Sequence, residues 1–307
     1  MSEPICYLNG QWLPLAQACV PVLDRGFIFG DGVYEVLVVD QLSIDGQAVR
    51  APFRVQAHLD RLSRSLAAIR IAEPLSPAQW MGIISGLIER HDAPRLVLYM
   101  QVTRGVAKRE HVFPKDTAPT VFAMANPWQP IAREDIELGI RAITHTDDRW
   151  LHCDIKSISL LGNILLKQKA ADQGASEAIL LRDGLLTEGS SSNVWLVKSG
   201  VVYAPPPSAL MLTGITYEAV LDVLRASGRR HELRTLSEQD LRSADELWVS
   251  ASGRELMPVT RLDGEPVGSG APGPVFKETL AGFAQAKIAD ARLWLHASRS
   301  SSKATAS

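Results

Sequence analysis

Lys156 and Glu188 are the residues of this chain best placed to do chemistry. Lys156 lies in the run Asp154-Ile155-Lys156-Ser157-Ile158-Ser159-Leu160-Leu161-Gly162-Asn163, and Glu188 in Leu186-Thr187-Glu188-Gly189-Ser190-Ser191-Ser192-Asn193. A lysine among apolar neighbours is disfavoured as an ammonium, and the neutral amine can form a Schiff base with an aldehyde. A carboxylate can sit beside a pyridinium nitrogen, and a Gly/Ser-rich turn offers N–H groups to a phosphate. Together these are the parts of a pyridoxal phosphate site. Singly, each has a plainer reading, as a snorkelling surface lysine and a polar turn. They gain meaning from standing in register with further motifs.

Those motifs are Arg25-Gly26-Phe27-Ile28-Phe29-Gly30-Asp31-Gly32-Val33-Tyr34-Glu35, then Phe53-Arg54 leading to His58-Leu59-Asp60-Arg61-Leu62, then Leu212-Thr213-Gly214-Ile215-Thr216, and Met257-Pro258-Val259-Thr260 with Leu262-Asp263-Gly264. In this order, from about Tyr7 to about Ala286, the chain resembles the fold-type IV pyridoxal phosphate enzymes, which include D-amino acid aminotransferases, branched-chain aminotransferases and aminodeoxychorismate lyases. The resemblance implies an α/β fold of the α+β type, with two α/β domains and the cofactor in the cleft between them.

It also implies roles by position. Lys156 matches the lysine that holds the cofactor and moves the substrate proton, and Glu188 the carboxylate on the pyridine nitrogen. Arg54 matches the phosphate-binding arginine, with Gly214, Ile215, Thr216 and Ser252 as further phosphate contacts, and Leu212 the residue behind the ring. Ser191 and Ser192 of the turn complete the expected cofactor-binding set. One departure lies in Ser250-Ala251-Ser252-Gly253-Arg254, where the family more often carries threonines and no arginine. Ala251 offers no side-chain contact to a phosphate, and Arg254 reads as a solvated surface charge in preference to a new anion contact. His58, at an amphipathic helix start, reads as structural, and Cys153 as a packing residue.

A further segment, Thr103-Arg104-Gly105-Val106-Ala107-Lys108-Arg109-Glu110-His111-Val112-Phe113-Pro114, is similar to the D-amino acid aminotransferase pattern. There Arg109 and His111 match donors that join Tyr34 in gripping the substrate carboxylate. Residues two apart in an extended loop can point the same way and converge on one anion. In the family this loop reaches the neighbouring subunit's site, which implies a homodimer. The function implied is a D-amino acid transaminase moving an amino group from D-alanine or D-glutamate to 2-oxoglutarate or pyruvate, through a lysine Schiff base and a pyridoxamine form. The alternatives are a branched-chain L-amino acid aminotransferase and an aminodeoxychorismate lyase.

The elements that must position these residues are legible in outline. Strand-like runs occur at residues 6–8, 34–39, 95–102, 119–124 and 138–143. Leu59, Leu62, Leu66 and Ile69 fall at helical spacing over residues 56–69, and a second helical pattern covers 77–91. A helix over about 160–173 would put Lys156 just before its start, and Gly214 precedes a helix carrying Val220, Val223 and Leu224. Strands at 177–181 and 193–197 would flank a loop bearing Glu188. Asn126-Pro127-Trp128-Gln129-Pro130 breaks the pattern, since proline removes a donor and restricts its predecessor. The expected domains are therefore residues 1–128 and 133–297, with a linker at 129–132 and a disordered Ser/Ala/Thr-rich tail at 298–307.

Composition fits this reading. A chain of 307 residues has room for two domains of about 100–200 residues each. With 32 basic and 34 acidic residues and no run of like charge, nothing points to a nucleic-acid partner. The three cysteines have no metal-ligand spacing, and no metal is expected. The absence of a signal-like segment or a membrane-length apolar run leads to the expectation of a cytoplasmic protein.

Overall fold

The computed structural model describes residues 3–304, with side chains through His296. It divides into two compact units. The first comprises the chain up to Pro130, the short segment Ile155–Ser159 and the chain from Lys287; the second comprises Ile131–Asp154 and Leu160–Ala286. The division expected from sequence was contiguous; here the lysine segment and the part of the last helix from Lys287 onward group with the N-terminal unit.

The first unit is built on six antiparallel strands, β1 (Ile5–Leu8), β2 (Gln11–Pro14), β3 (Gly32–Ile44), β4 (Gln47–Pro52), β5 (Arg95–Thr103) and β6 (Thr120–Pro127), in the order β2-β1-β6-β5-β3-β4. Helices α1 (Arg25–Phe29), α2 (Val55–Ala68) and α3 (Pro77–Glu89) accompany it. Alternation gives each strand one core-facing row: Val33, Leu37 and Val39 on β3 and Leu96, Leu98, Met100 and Val102 on β5 meet Leu59, Leu62 and Leu66 of α2 and Trp80, Ile83, Ile84 and Leu87 of α3. Ser76 caps α3 with a reciprocal capping box through Gln79. By the same alternation Glu35 lies in the row of Val33 and Leu37, facing α2, while Tyr34 lies on the other face.

The second unit carries nine strands: β7 (Ile140–Thr146), β8 (Glu177–Arg182), β9 (Leu185–Gly189), β10 (Asn193–Lys198), β11 (Val201–Ala204), β12 (His231–Leu233), β13 (Glu246–Ala251), β14 (Glu255–Leu262) and β15 (Glu265–Pro266). Their order is β12-β11-β10-β13-β14-β7-β8-β9, with β15 on β14, and the β11–β12, β14–β7 and β7–β8 pairs are parallel. Helices α4 (Arg133–Leu138), α5 (Leu161–Asp172), α6 (Ile215–Ala226), α7 (Glu238–Arg242) and the opening of α8 (Pro274–Ala304) belong to it. Tyr217 of α6 stacks on Trp195, which stacks on Trp248, so α6 is locked to the β10–β13 pair by aromatic contacts.

Two expectations are corrected here. Glu188 is on strand β9, paired with β8, where a loop was expected. The polar Thr187 and Glu188 mask the strand in the sequence, and they are tolerated inside because buried partners satisfy them. Residues 298–304, expected as a disordered tail, continue α8, because a helix already nucleated upstream adds a bond per residue. Residues 305–307 of that expected tail lie outside the described residues.

Candidate active site

In the first unit the lysine segment is pinned to the start of β3. Tyr34 N–H donates to Lys156 O at 3.0 Å, Ile158 N–H to Gly32 O at 3.0 Å, and Lys156 N–H to Ser65 Oγ at 3.3 Å. Glycine is needed at position 32, where a Cβ would lie 2.6 Å from Val102 O and 3.0 Å from Ile158 Cδ1. With its backbone held on both sides, Lys156 places its Nζ 4.2 Å from the centre of the Tyr34 ring, over its face. Tyr34 in turn stacks on Tyr99, whose hydroxyl donates to Gln101 Oε1 at 2.6 Å and is pushed by burial up to about 12.

Beside this lies a cluster the sequence reading did not single out. Glu35, fully buried, accepts from Arg61 Nε and Nη2 at 2.8 and 2.9 Å and pairs with His58 Nδ1 at 2.7 Å. Burial works to raise its pKa, but Arg61 and then His58 win and bring it down to about 2. Burial lowers the His58 pKa against the pull of Glu35. Arg54 differs. It caps α2 in the left-handed region (φ 50°), donates its N–H to Asp290 Oδ2 at 2.7 Å, and holds its guanidinium 5.6 Å from the Phe53 ring. The signal for the buried cluster was present in Tyr34-Glu35 and His58…Arg61, three residues apart on one helix face.

The loop after β5 is anchored by charge. Arg104 donates to both Asp31 oxygens at 2.8 and 2.9 Å, reaches Ile69 O at 2.7 Å and lies 3.6 Å from the Phe113 ring centre; Arg25 bonds Asp31 and Glu110 O. Burial opposes the ionisation of Asp31, yet Arg104 and Arg25 hold it below the ordinary carboxylate range. So fixed, the loop presents Arg109, 5.4 Å over Phe29, and His111, 5.5 Å from the same ring. Both are exposed. Arg109 and His111 thus meet at Phe29, whereas Tyr34 meets Lys156 and Tyr99.

In the second unit Glu188 is 5% exposed. Its Oε1 accepts from Arg149 Nη1 at 2.7 Å and its Oε2 from Leu212 N–H at 3.0 Å. Arg149 is gripped by Asp147 through Nε and Nη2 at 2.9 and 3.0 Å, and Asp147 also accepts from Thr187 Oγ1 at 2.8 Å. Burial pushes Glu188 up to about 7, with Arg149 pulling the other way. Cys153, beside these charges, is pushed by burial up to about 11, which leaves it an inert thiol. Arg149 and Asp147 escaped the sequence reading, although an Asp-Asp-Arg triplet shortly before the lysine was a visible signal.

Leu212 and Gly214 are set by Asn193, which donates Nδ2 to Leu212 O at 2.8 Å and accepts from Gly214 N–H at 3.2 Å. A Cβ on Gly214 would run into Asn193 Oδ1, so only glycine allows this clamp. Gly214 then opens the twelve-residue helix α6 with no side-chain cap, so that among the described residues the first N–H groups at Ile215 and Thr216 meet no capping acceptor. That uncapped end and the buried Glu188 suit the two poles of pyridoxal phosphate, its phosphate and its ring nitrogen. Ser252 follows β13 and is half-buried; Ser191 and Ser192 turn their hydroxyls to Glu177. Arg254 is exposed and donates to Ser176 O at 3.2 Å, a surface contact.

Comparison with known proteins decides the family. The model of the class IV amino-transferases matches residues 32–262. The chain is a class IV aminotransferase. It is 40% identical over 269 residues to a D-alanine aminotransferase of Bacillus licheniformis, covering 88% of this chain and 92% of that one. It is 36% identical over 278 residues to a D-alanine aminotransferase of Staphylococcus haemolyticus, covering 90% and 95%. Among solved structures, the branched-chain amino acid aminotransferase of Escherichia coli matches with a TM-score of 0.85 at 25% identity over 94% of this chain and 96% of that one. The branched-chain amino acid aminotransferase of Thermoproteus uzoniensis, solved with norvaline, matches with a TM-score of 0.85 at 22% identity over 94% and 96%, a likeness of fold.

The fold-type IV assignment and pyridoxal 5′-phosphate as cofactor, both expected from the motifs, hold for this class IV aminotransferase. No group of metal-ligating side chains occurs among the described residues, and none of their helices is long and apolar enough to cross a membrane.

Proposed function

We propose that this aminotransferase is a D-amino acid:2-oxo acid transaminase, taking D-alanine or D-glutamate as donor and 2-oxoglutarate or pyruvate as acceptor. The observation that carries the reading is the loop of Arg109 and His111, two anion donors held at one ring by the Arg104–Asp31–Arg25 anchor. The D-alanine aminotransferases at 36–40% identity over about 90% of the chain support it.

When bound, pyridoxal phosphate supplies the electron sink that weakens the bonds at the substrate α-carbon. Lys156 Nζ is the amine that holds the cofactor and, once freed, takes the α-proton as general base and returns it as general acid. Glu188, kept toward its ionised form by Arg149, holds the proton on the ring nitrogen. The Ile215 and Thr216 N–H groups and Ser252 take the phosphate together with an arginine. Arg54 is the arginine indicated by position; Arg61, buried three residues after His58, is the second candidate. Their roles separate by experiment, since loss of the phosphate arginine weakens cofactor binding most.

Tyr34, Arg109 and His111 grip the substrate carboxylate, and this grip sets which enantiomer turns its α-hydrogen toward Lys156. Arg109 and His111 do so from a second copy of the chain. Exposed Val22, Phe27 and Val112, at 73, 73 and 80%, form an apolar fringe around α1 and this loop that a homodimer would cover. A branched-chain aminotransferase would share the cofactor residues but hold the carboxylate on the opposite side.

The test is to add D-alanine and L-leucine separately to the protein reconstituted with pyridoxal phosphate and follow the visible band of the bound cofactor. Loss of the band with D-alanine alone is expected; loss with L-leucine alone would move the protein to the branched-chain class.

A further inference from the structure

Glu177, at the start of β8, is 1% exposed and collects five donors. Its Oε1 accepts from Ser190 Oγ and from Ala178 N–H at 3.0 Å; its Oε2 accepts from Ser192 Oγ at 2.8 Å and Ser191 Oγ at 3.1 Å and faces Lys167 Nζ at 3.4 Å. Three successive serine hydroxyls on one buried carboxylate leave it fully satisfied. They also fix the turn that joins Glu188 on β9 to Asn193 on β10. Gly189 N–H closes that turn onto Ser192 O at 2.6 Å, Ser190 N–H bonds Ala178 O at 2.8 Å, and Asn163 Nδ2 donates to Ser190 O at 2.9 Å. Among the described residues, the N–H groups of Ser191 and Ser192 donate to no acceptor.

We propose that Glu177 is a positioning residue for the cofactor: by drawing the three hydroxyls to itself it orients the turn so that the Ser191 and Ser192 N–H groups, and not their hydroxyls, donate to an anionic oxygen of pyridoxal phosphate. Consecutive N–H groups on a tight turn form a nest that suits an anion. The inference rests on the proposed assignment of Ser191 and Ser192 to the cofactor site and adds the residue that arranges them. It also explains why a carboxylate would be buried one strand away from Glu188: its charge is answered by Lys167 and the hydrogen bonds of the serine turn.

The experiment is a double-mutant cycle on the full chain reconstituted with pyridoxal phosphate, reading the cofactor dissociation constant and the visible circular dichroism of the bound cofactor, with the melting of the cofactor-free protein alongside. Glu177→Gln and Ser192→Ala should each weaken cofactor binding by about fivefold to tenfold, and the double variant no more than the worse single one, because both act through one contact. Additive losses would mean that the Ser192 hydroxyl touches the cofactor directly and would overturn the proposal. So would a Glu177→Gln protein that melts lower without its cofactor yet binds it within twofold of the parent. If Glu177→Gln fails to fold, the Ser191→Ala/Ser192→Ala pair replaces it: retained hydroxyl-free binding within twofold overturns the role. Absence of a visible band in the parent protein itself would instead sink the cofactor site as a whole.

Discussion

Two glutamates, Glu35 in the first unit and Glu188 in the second, are both buried and behave in opposite ways. Glu35 meets a bidentate Arg61 and His58 and falls to about 2; Glu188 meets one nitrogen of Arg149 and a single backbone N–H and rises to about 7. The cost of desolvation is common to both, so the bidentate grip of Arg61 and the His58 hydrogen bond at Glu35, against the single Arg149 contact and the nearby Asp147 charge at Glu188, decide the outcome. Glu35 is held toward its ionised form by Arg61 and His58 and serves as an anchor beside the lysine segment. In its proposed role Glu188 would respond to a positive ring nitrogen.

The sharpest way to break this comparison is to remove each carboxylate. Glu35→Gln leaves Arg61 buried with its partner weakened and should cost about 3–5 kcal/mol in chemical denaturation. Glu188→Gln in the cofactor-free protein should cost far less at pH 8 or even stabilise, since it removes a charge that burial disfavours, while transamination falls by on the order of a hundredfold or more. If both variants lost similar stability, the contrast would be wrong.

Next in size are the pH slopes. Glu35 has a folded pKa below its usual 4.5, so its stabilisation is complete above that value and is lost as pH falls toward 2. Glu188 has a folded pKa above 4.5, so its contribution is complete below 4.5 and is lost as pH rises through 7. Each amounts to about 3 kcal/mol by linkage. Denaturation midpoints of the cofactor-free protein from pH 4.5 to 8, compared with those of Glu188→Gln, should show a decline that the variant lacks.

Arg149→Met should then push Glu188 further above 7 and move the acidic limb of the pH–rate profile upward, with Arg149→Lys restoring it in part. The smallest effect belongs to Arg254→Ala, an exposed contact to one carbonyl, for which a stability change within about 0.5 kcal/mol and unaltered cofactor affinity are expected from melting and titration.

These same residues mark how far the sequence could be read. Helices α2, α3 and α6 were legible because apolar residues repeat at helical spacing, and β3, β5 and β6 because apolar residues run or alternate; α5 shows no such spacing, with Leu166 and Ala170 alone buried along it. Strand β9 was not, because Leu-Leu-Thr-Glu-Gly has no strand pattern until Arg149, Asp147 and Leu212 N–H satisfy its polar members. The conspicuous residues of the site, Lys156, Glu188 and the Gly214 turn, stand in ordered motifs. Two of their supports, Arg149 and Glu177, do not, since each acts through a partner 39 or 13 residues distant in the chain; Arg61 does stand in a motif, but its partner Glu35 lies 26 residues away.

The most direct test of the proposed activity follows the α-proton that Lys156 is assigned to move. The reconstituted protein would be incubated in D2O with D-alanine or L-alanine and a matching 2-oxo acid, and α-hydrogen exchange read by NMR. Exchange in D-alanine, its absence in L-alanine, and its loss in Lys156→Ala are expected. Exchange in L-alanine alone, or exchange persisting in Lys156→Ala, would contradict the assignment of chirality or of the catalytic lysine.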